Sequence, residues 1–252
     1  MKKFAVVLSG CGVYDGAEIH EAVLTLLAID RAGASFQCFA PDVLQHHVMN
    51  HVTGKEMPEK RNVLIESARI ARGNIKPLSA FKAGNYDALI IPGGFGAAKN
   101  LCNWAIKGDN CTVDPGVEAA VKTMFEAGKP IGAMCIAPVI LAKLFKGTTL
   151  TTGADPASKS FIEKTGNRYA TTTHGEVIAN SGQKSFGEAQ NVVGAQNVVG
   201  AQNVVGAQNF VGAQIFVPLL FTTPCYMLDA TISQIAEGTE NIVREMMKAL
   251  NG

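Results

Sequence analysis

The fold is decided by the stretch Pro130-Ile131-Gly132-Ala133-Met134-Cys135-Ile136-Ala137-Pro138. A short apolar run, typical of a buried parallel strand, ends at Cys135, and a helical pattern runs from Ile136 to Phe145. A side chain at such a turn stands over the carboxyl edge of the sheet, where α/β proteins bind ligands. The N-terminus of the helix supplies partial positive charge and free N–H groups, which predict a lowered thiol pKa. We therefore predict that Cys135 is a functional residue and not an inert core cysteine.

The same alternation of apolar runs and helical patterns extends on both sides of this stretch. Strands are predicted at 4–8, 35–40, 86–91 and 130–134, and helices at 18–31, 62–72, 117–127, 136–145 and 229–250. Strands that alternate with helices in this way indicate βαβ units and a parallel sheet. We expect one α/β domain over residues 1–252.

A hexapeptide repeat interrupts this alternation. Ala189-Gln190-Asn191-Val192-Val193-Gly194 recurs unchanged at 195–200 and 201–206 and then decays through 217. Six residues turn an α-helix by about 600°, so the valines would not share a helical face, and the repeats are too few for a β-helix. We interpret 189–217 as a tandem expansion inserted in a loop or hairpin. A self-association segment and an error in the sequence are the alternatives.

Composition excludes several classes of protein. The 252 residues carry a formal net charge of +1, which gives no electrostatic argument for nucleic acid or an anionic membrane as partner. No apolar run approaches the length of a membrane span. Only 17% of the residues are charged, but none of these lies within 189–228, so the low value belongs to the region of the repeat.

The six cysteines form no C-x-x-C pair and are expected to be reduced thiols. With no recognisable leader in the chain, the sequence predicts a cytoplasmic protein, or a mitochondrial-matrix protein if a leader is missing.

Two further segments are expected at the same edge of the sheet as Cys135. Gly93 and Gly94 follow the strand predicted at 86–91, and glycines there let backbone N–H groups face a ligand, as an oxyanion site requires. Glu21 lies near the start of the first long helix. It is either an ordinary acid of the first helical turn or a partner that bonds the Cys135 thiolate and moves protons.

Other polar residues leave alternatives open. His20 adjoins Glu21, but neighbouring helix positions point about 100° apart, so at most one of the two side chains is expected to reach Cys135. Asp15 and Glu18 either face a substrate or are acids at the helix entry. The glycines of 10–16 are spaced one residue too widely for a dinucleotide fingerprint. The histidines at 46, 47 and 51 are interpreted as a surface cluster, and we predict neither a metal site nor a cofactor.

Together, strand–Pro92-Gly93-Gly94, strand–Cys135–helix and Glu21 resemble the class I glutamine-amidotransferase-like superfamily, which includes the PfpI proteases and the Parkinson-disease deglycase. Four longer segments resemble one branch, the ElbB family, which is the isoprenoid-biosynthesis-associated glyoxalase. They are Leu8–Gly16, Glu18–Val23, Pro92–Asn100 and Met134–Pro138. The likeness covers about 1–180 and 222–250, and the repeat has no counterpart in it.

The resemblance implies a flavodoxin-like three-layer sandwich, a homodimer, and a nucleophile elbow at Cys135 with Glu21 as its partner. It also implies that the backbone N–H groups of Gly94 and Ile136 form the oxyanion site, beside Gly93. The known activity of the ElbB family implies conversion of a small 2-oxoaldehyde, with glyoxal as the first candidate, to a 2-hydroxy acid such as glycolate. This reaction passes through a Cys135 hemithioacetal and needs no glutathione.

The chain also departs from related patterns. Where PfpI-type proteases have a histidine after the nucleophile, this chain has Ile136, and Thr151-Thr152 leads into Gly153 where the deglycase has a histidine. His174-Gly175-Glu176 matches the His-x-Glu motif of amidotransferases, but it lies before the repeat. Peptidase and glutaminase activities are therefore disfavoured, and slow turnover is expected. The rival hypothesis is a non-enzymatic role in redox sensing or in binding a metabolite or partner through the same cysteine.

Overall fold

The structure is a computed structural model, and it describes residues 1–184 and 215–251. Its α-helices are α1 (Ile19–Arg31), α2 (Val63–Ile70), α3 (Trp104–Lys107), α4 (Pro115–Glu126), α5 (Pro138–Leu144), α6 (Pro156–Lys164) and α7 (Ile232–Asn251). Its longer strands are β1 (Lys3–Val7), β2 (Ser35–Ala40), β5 (Ile75–Pro77), β6 (Ala88–Ile91), β7 (Ile131–Met134), β10 (Ile178–Lys184) and β11 (Ile215–Thr223). Two small ribbons pair β3 (Met49–Asn50) with β4 (Lys55–Glu56), and β8 (Thr149–Leu150) with β9 (Arg168–Tyr169).

The longer strands form one seven-stranded sheet in the order β10-β11-β7-β6-β1-β2-β5. Every neighbouring pair is parallel except β10 and β11. The chain moves from β1 to β2 in one direction and from β6 to β7 in the other. Because parallel crossovers are right-handed, α1 and α4 cover opposite faces of the sheet. The predicted α/β fold, a flavodoxin-like three-layer sandwich with a mostly parallel sheet, is confirmed.

The core follows from the composition of the central strands. The side chains of β6 and β7 are fully buried, as in a parallel sheet covered on both faces. On one face α7 packs against α1, and Met246 of α7 lies over Gly132 of β7. A side chain at position 132 would collide with that methionine, because its Cβ would stand 2.7 Å from the Met246 sulfur.

Local chemistry explains small differences from the predicted bounds. Helix α1 begins at Ile19 because the Glu18 side chain accepts a hydrogen bond from the Glu21 N–H and caps the helix. Helix α5 begins at Pro138, two residues after the predicted start, because the chain first turns sharply at Cys135. Proline lacks an N–H and has a fixed φ, which suits the first helical position.

The last three residues of the segment interpreted as an insertion, 215–217, lie in a strand of the described structure. Residues 215–217 belong to β11, which pairs with β10 from Lys184 to Ile178 and with β7 from Leu220 to Thr223. The apolar, uncharged sequence of 215–223 is typical of a strand, and its likeness to the preceding hexapeptides obscured this assignment. The repeat before 215 lies outside the described residues.

This arrangement predicts that residues 189–212 can be deleted with little loss of stability. The deletion leaves six residues between Lys184 and Ile215, which are already register partners, and antiparallel neighbours need only a short connection. We expect the melting temperature to change by only a few degrees, measured by differential scanning fluorimetry. Deletion of 189–217 removes part of β11 and should lower it much further. Equal losses from both deletions would contradict this view.

Candidate active site

The site forms where the carboxyl ends of four neighbouring strands meet. Cys135 directly follows β7, the Gly93-Gly94 pair follows β6, and Tyr226 follows β11. Glu21 lies in the first turn of α1, the helix that follows β1. Parallel strands place the residues that follow them at one edge of the sheet, so segments far apart in sequence converge here.

Cys135 adopts a strained backbone conformation. Its φ is 59°, in the left-handed region that residues with a Cβ seldom enter. The neighbouring strand helps to hold this turn, because the Cys135 N–H donates to the Thr223 carbonyl over 3.0 Å. The side chain is only 6% exposed. Strain of this kind concentrates at functional sites, where the surrounding structure maintains it.

Gly93 is the residue that lets the cysteine and the carboxyl group approach each other. A Cβ at position 93 would lie 2.8 Å from the Cys135 sulfur and 2.5 Å from Glu21 Oε2. Both distances are too short for unbonded atoms, so any larger residue would push the pair apart.

The Glu21 carboxyl is completely buried and has a hydrogen-bond partner on each oxygen. Oε2 accepts from the Gly93 N–H over 2.9 Å, and Oε1 accepts from the Tyr226 N–H over 3.1 Å. Burial raises the pKa of Glu21 to about 8, and the nearby Glu18 adds to this, whereas the hydrogen bonds from Tyr226, Cys135 and Gly93 oppose it. At neutral pH the carboxyl therefore holds a proton.

The prediction that the helix N-terminus lowers the pKa of Cys135 is wrong in direction. Burial raises the pKa of this thiol, and the Glu21 carboxyl raises it further, both by its charge and by its hydrogen bond to the sulfur. The N–H groups of Gly94 and Ile136 bond to the same sulfur and lower its pKa by a smaller amount. Desolvation disfavours the thiolate more than these donors favour it.

The donors predicted for the oxyanion site, Gly94 and Ile136, thus converge on the sulfur of Cys135. Gly94 has a φ of 94°, which only glycine adopts readily, and a Cβ there would overlap the backbone of Gly16 and Ala17. The Glu18 N–H donates to the Gly93 carbonyl over 2.9 Å, which ties this loop to the start of α1.

A pocket of about 310 Å³ opens over Cys135. Its described wall is mostly apolar and is formed by Val13, Gly94, Phe95, Trp104, Cys135, Ile136, Asp155, Ala157, Tyr226 and Met227. Concave, mainly apolar pockets with a few convergent polar groups are the usual form of small-molecule sites.

Of the adjacent pair His20 and Glu21, only Glu21 reaches Cys135. The His20 side chain is half-exposed, and its Nδ1 lies 2.9 Å from the Tyr226 hydroxyl and 4.0 Å from Glu18. Since Tyr226 lines the pocket, His20 is connected to the pocket through that hydroxyl.

Asp15 is buried and has a structural contact. Its Oδ2 accepts a hydrogen bond from the Met49 N–H over 2.7 Å, and His51 lies 3.8 Å from Oδ1. Asp15 is not among the described residues that line the pocket over Cys135. Glu18 is the cap of α1, as an acid at the helix entry.

The histidines that related patterns would place at the site lie elsewhere. His174 is partly exposed, and its Nε2 lies 2.8 Å from the Asp229 carbonyl. At Gly153 a Cβ would stand 2.9 Å from Leu228, so this position has little room for a side chain. Within 1–184 and 215–251 no group of three His, Cys, Asp or Glu residues is arranged to hold a metal ion.

Sequence reasoning missed Tyr226, Trp104 and Asp155 as residues of the site. Tyr226 follows β11, the strand that the repeat concealed, while Trp104 and Asp155 lie at the starts of two short segments that lacked a clear pattern. The sequence Asp155-Pro156 before Ser158 was the available signal for α6, because Asp155 caps that helix by accepting from the Ser158 N–H.

A buried cysteine after a central parallel strand, a glycine pair after the next strand and an acid on the first helix define a protein of the class I glutamine-amidotransferase-like superfamily. A model of the DJ-1/PfpI family matches residues 12–215, and the chain belongs to that family. The human glutamine amidotransferase-like class 1 domain-containing protein 3, mitochondrial, is 42% identical, with 98% of this chain and 82% of the relative aligned.

Two solved structures extend the comparison. An isoprenoid biosynthesis protein with an amidotransferase-like domain from Ehrlichia chaffeensis is 30% identical, with a TM-score of 0.79 over 99% of this chain and 100% of that protein. This likeness agrees with the ElbB resemblance. Glyoxalase III from Candida albicans is 13% identical, with a TM-score of 0.53 over 97% of each chain, and shares the fold alone. Among the described helices, none has the length and apolar character needed to cross a membrane.

The raised pKa of Glu21 predicts a pH-dependent loss of stability. Between its ordinary value of 4.5 and about 8, the folded protein holds a proton that the unfolded chain has released. The free energy of unfolding should therefore fall as pH rises through this window, by at most about 1.4 kcal/mol per pH unit. Glu21→Gln removes this contribution, so the variant should show a shallower slope in urea unfolding at pH 5, 6, 7 and 8.

The matched control is Glu126→Gln, at an exposed position at the end of α4, which should keep the slope of the wild type. The same slope in the wild type and in Glu21→Gln would show that Glu21 does not hold a proton in the folded state.

Proposed function

We propose that the protein converts small 2-oxoaldehydes, with glyoxal as the simplest, to 2-hydroxy acids without glutathione or another cofactor. The observation that carries the proposal is the hydrogen-bonded pair of Cys135 and fully buried Glu21 at the base of a mostly apolar pocket. A carboxyl whose pKa lies near the working pH can both take and give a proton. Cys135 is then the nucleophile, and its strained turn is the nucleophile elbow.

In the first step the Cys135 sulfur forms a bond to the aldehyde carbon. The carbonyl electron pair moves to oxygen, and Glu21 in its ionised form accepts the thiol proton and passes it to that oxygen, so that a hemithioacetal results and Glu21 is ionised again. The N–H groups of Gly94 and Ile136 already bond to the sulfur, so they are placed to stabilise the negative charge that develops on the neighbouring oxygen.

In the second step Glu21 removes the proton from the carbon bonded to sulfur. The electron pair forms an enediol, and return of a proton to the adjacent carbon gives a thioester of the 2-hydroxy acid. Water then cleaves the thioester and restores the thiol. The net reaction of glyoxal adds one water and yields glycolate, with no external oxidant or reductant.

We expect turnover to be slow. No histidine is among the described residues that line the pocket, so the proton transfers depend mainly on Glu21. Two charged or polar groups normally share this work in acyl-transfer sites. The high pKa of the thiol also reduces the fraction that is reactive at neutral pH.

The proposal predicts glycolate formation that depends on Cys135 and Glu21. With glyoxal as substrate, Cys135→Ala should lose activity by at least a hundredfold, and Glu21→Gln by a similar factor, because the first lacks the nucleophile and the second cannot accept a proton. The measurement is steady-state glycolate production followed by coupled enzymatic detection.

Cys38→Ala is the matched control, since Cys38 is also buried but lies in β2, away from the pocket, and its rate should equal that of the wild type. If the wild type is no faster than Cys135→Ala, the enzymatic proposal fails and the rival role in binding or redox sensing takes its place. Burial and the raised pKa of Cys135 disfavour redox sensing, because oxidation selects exposed thiolates.

We also propose that the protein is a homodimer, as its resemblance to the ElbB family implies. Helix α1 carries Ile19, Val23 and Leu27 at intervals of four residues, and these side chains are 43%, 46% and 38% exposed. Residues at this spacing share one helix face, so they form an apolar stripe on the surface. A second copy of the chain is the partner that we assign to this stripe.

The dimer proposal predicts that a charge in the stripe separates the subunits. Val23→Glu should shift the mass measured by analytical ultracentrifugation from dimer to monomer at micromolar concentration, because a buried, unpaired carboxylate is costly. Val52→Glu, at an apolar position that is 95% exposed and off this helix, should remain dimeric. A monomeric wild type would refute the dimer, and a dimeric Val23→Glu would refute the surface.

For location, we propose the cytoplasm or the mitochondrial matrix, and the name of the human relative supports the mitochondrial alternative. Both compartments keep thiols reduced, which suits the free cysteines of the described chain.

A further inference from the structure

The pocket over Cys135 is larger than glyoxal requires. Glyoxal has two carbons and two oxygens, which at the roughly 30 Å³ that one water occupies in the liquid fill about 120 Å³. The pocket has about 310 Å³. More than half of the space would therefore remain unfilled, with room for an additional group of up to about six non-hydrogen atoms.

The unfilled space is apolar. Six residues on the wall have uncharged side chains that are wholly or mainly apolar: Val13, Phe95, Trp104, Ile136, Ala157 and Met227. An apolar substituent on the substrate would move out of water and pack against this wall. The binding free energy would improve by about 0.8 kcal/mol per buried methylene. Glyoxal itself, which has no such substituent, gains nothing from most of the wall.

The charge of the pocket excludes anionic substrates. Asp155 stands on the wall, and its Oδ2 accepts hydrogen bonds from both the N–H and the hydroxyl of Ser158, each over 2.7 Å. None of the described wall residues is a lysine, arginine or histidine. A phosphate or carboxylate on the substrate would therefore lose water and meet a carboxylate without a compensating cation.

We infer that the preferred substrates are uncharged 2-oxoaldehydes that carry an apolar substituent of about four to six carbons. The inference rests on the proposed function, because it assumes that Cys135 adds to an aldehyde. The aldehyde end lies against the sulfur and the N–H groups of Gly94 and Ile136, and the substituent lies along Phe95, Trp104 and Met227. The wall residues therefore discriminate between substrates with different substituents, whereas Cys135 and the two N–H groups act in the same way on every substrate.

The experiment is a homologous series of alkylglyoxals, from glyoxal and methylglyoxal to butylglyoxal, assayed with the full chain. Each kcat/KM is divided by the rate of the same aldehyde with a free thiol, which corrects for hydration and intrinsic reactivity. We expect the corrected value to rise about fourfold per methylene until the pocket is full. An analogue of equal length that ends in a carboxylate should fall at least tenfold below butylglyoxal.

A variant that narrows the pocket tests the assignment of the wall. Ala157 is exposed at the start of α6 and lines the pocket, so Ala157→Leu adds volume there with little risk to the core. The ratio of the kcat/KM of butylglyoxal to that of glyoxal should fall about tenfold. Ala154→Leu makes the same change at a neighbouring exposed residue outside the described wall and should leave this ratio unchanged.

The outcomes separate the two proposals. If no 2-oxoaldehyde, glyoxal included, is turned over faster than by Cys135→Ala, the proposed function fails. If glyoxal is turned over in a Cys135-dependent way but the corrected kcat/KM is flat or falls along the series, the proposed function stands and the inference is overturned. An equal effect of Ala157→Leu and Ala154→Leu on the ratio would also overturn it.

Discussion

A buried carboxyl group that must find hydrogen-bond partners is the constraint on which the rest of the site depends. Glu21 is shielded from water, and leaving its oxygens unpaired would cost several kcal/mol. Its partners come from two separate loops, through the N–H of Gly93 after β6 and the N–H of Tyr226 after β11, and Cys135 completes the set. Satisfying one side chain therefore fixes the relative positions of three strand ends.

The same constraint explains the unusual residues around it. Position 93 must be glycine because a Cβ would occupy the space between Glu21 and the Cys135 sulfur. The turn at Cys135 is strained so that the sulfur meets the carboxyl and two backbone donors at once. Burial then favours the neutral forms of both groups, the protonated carboxyl and the thiol.

Much of the fold was predictable because its central strands are short apolar runs that end in glycine or at a helix. The strand at 35–40 and the turn at Cys135 were located from local pattern alone, and Glu21 was recognised as a candidate by its place on the first helix. Strand β11 was not located in this way, because its first residues continue the composition of the repeat. Tyr226 was missed for the same reason, because only the assignment of β11 places Tyr226 after the carboxyl end of a strand.

The sequence by itself determined the alternation of the central strands with helices, and it pointed to the acid, the thiol and the glycines that meet at the sheet edge, because these depend on local periodicity and residue chemistry. Only the tertiary structure decided the protonation of those groups and the nature of the pocket. The pKa of Cys135 was expected to fall from its position at a helix N-terminus, and it rises because packing removes water and brings Glu21 against the sulfur. Desolvation and proximity are properties of the assembled sheet edge, where residues from distant segments meet, and no local pattern carries them.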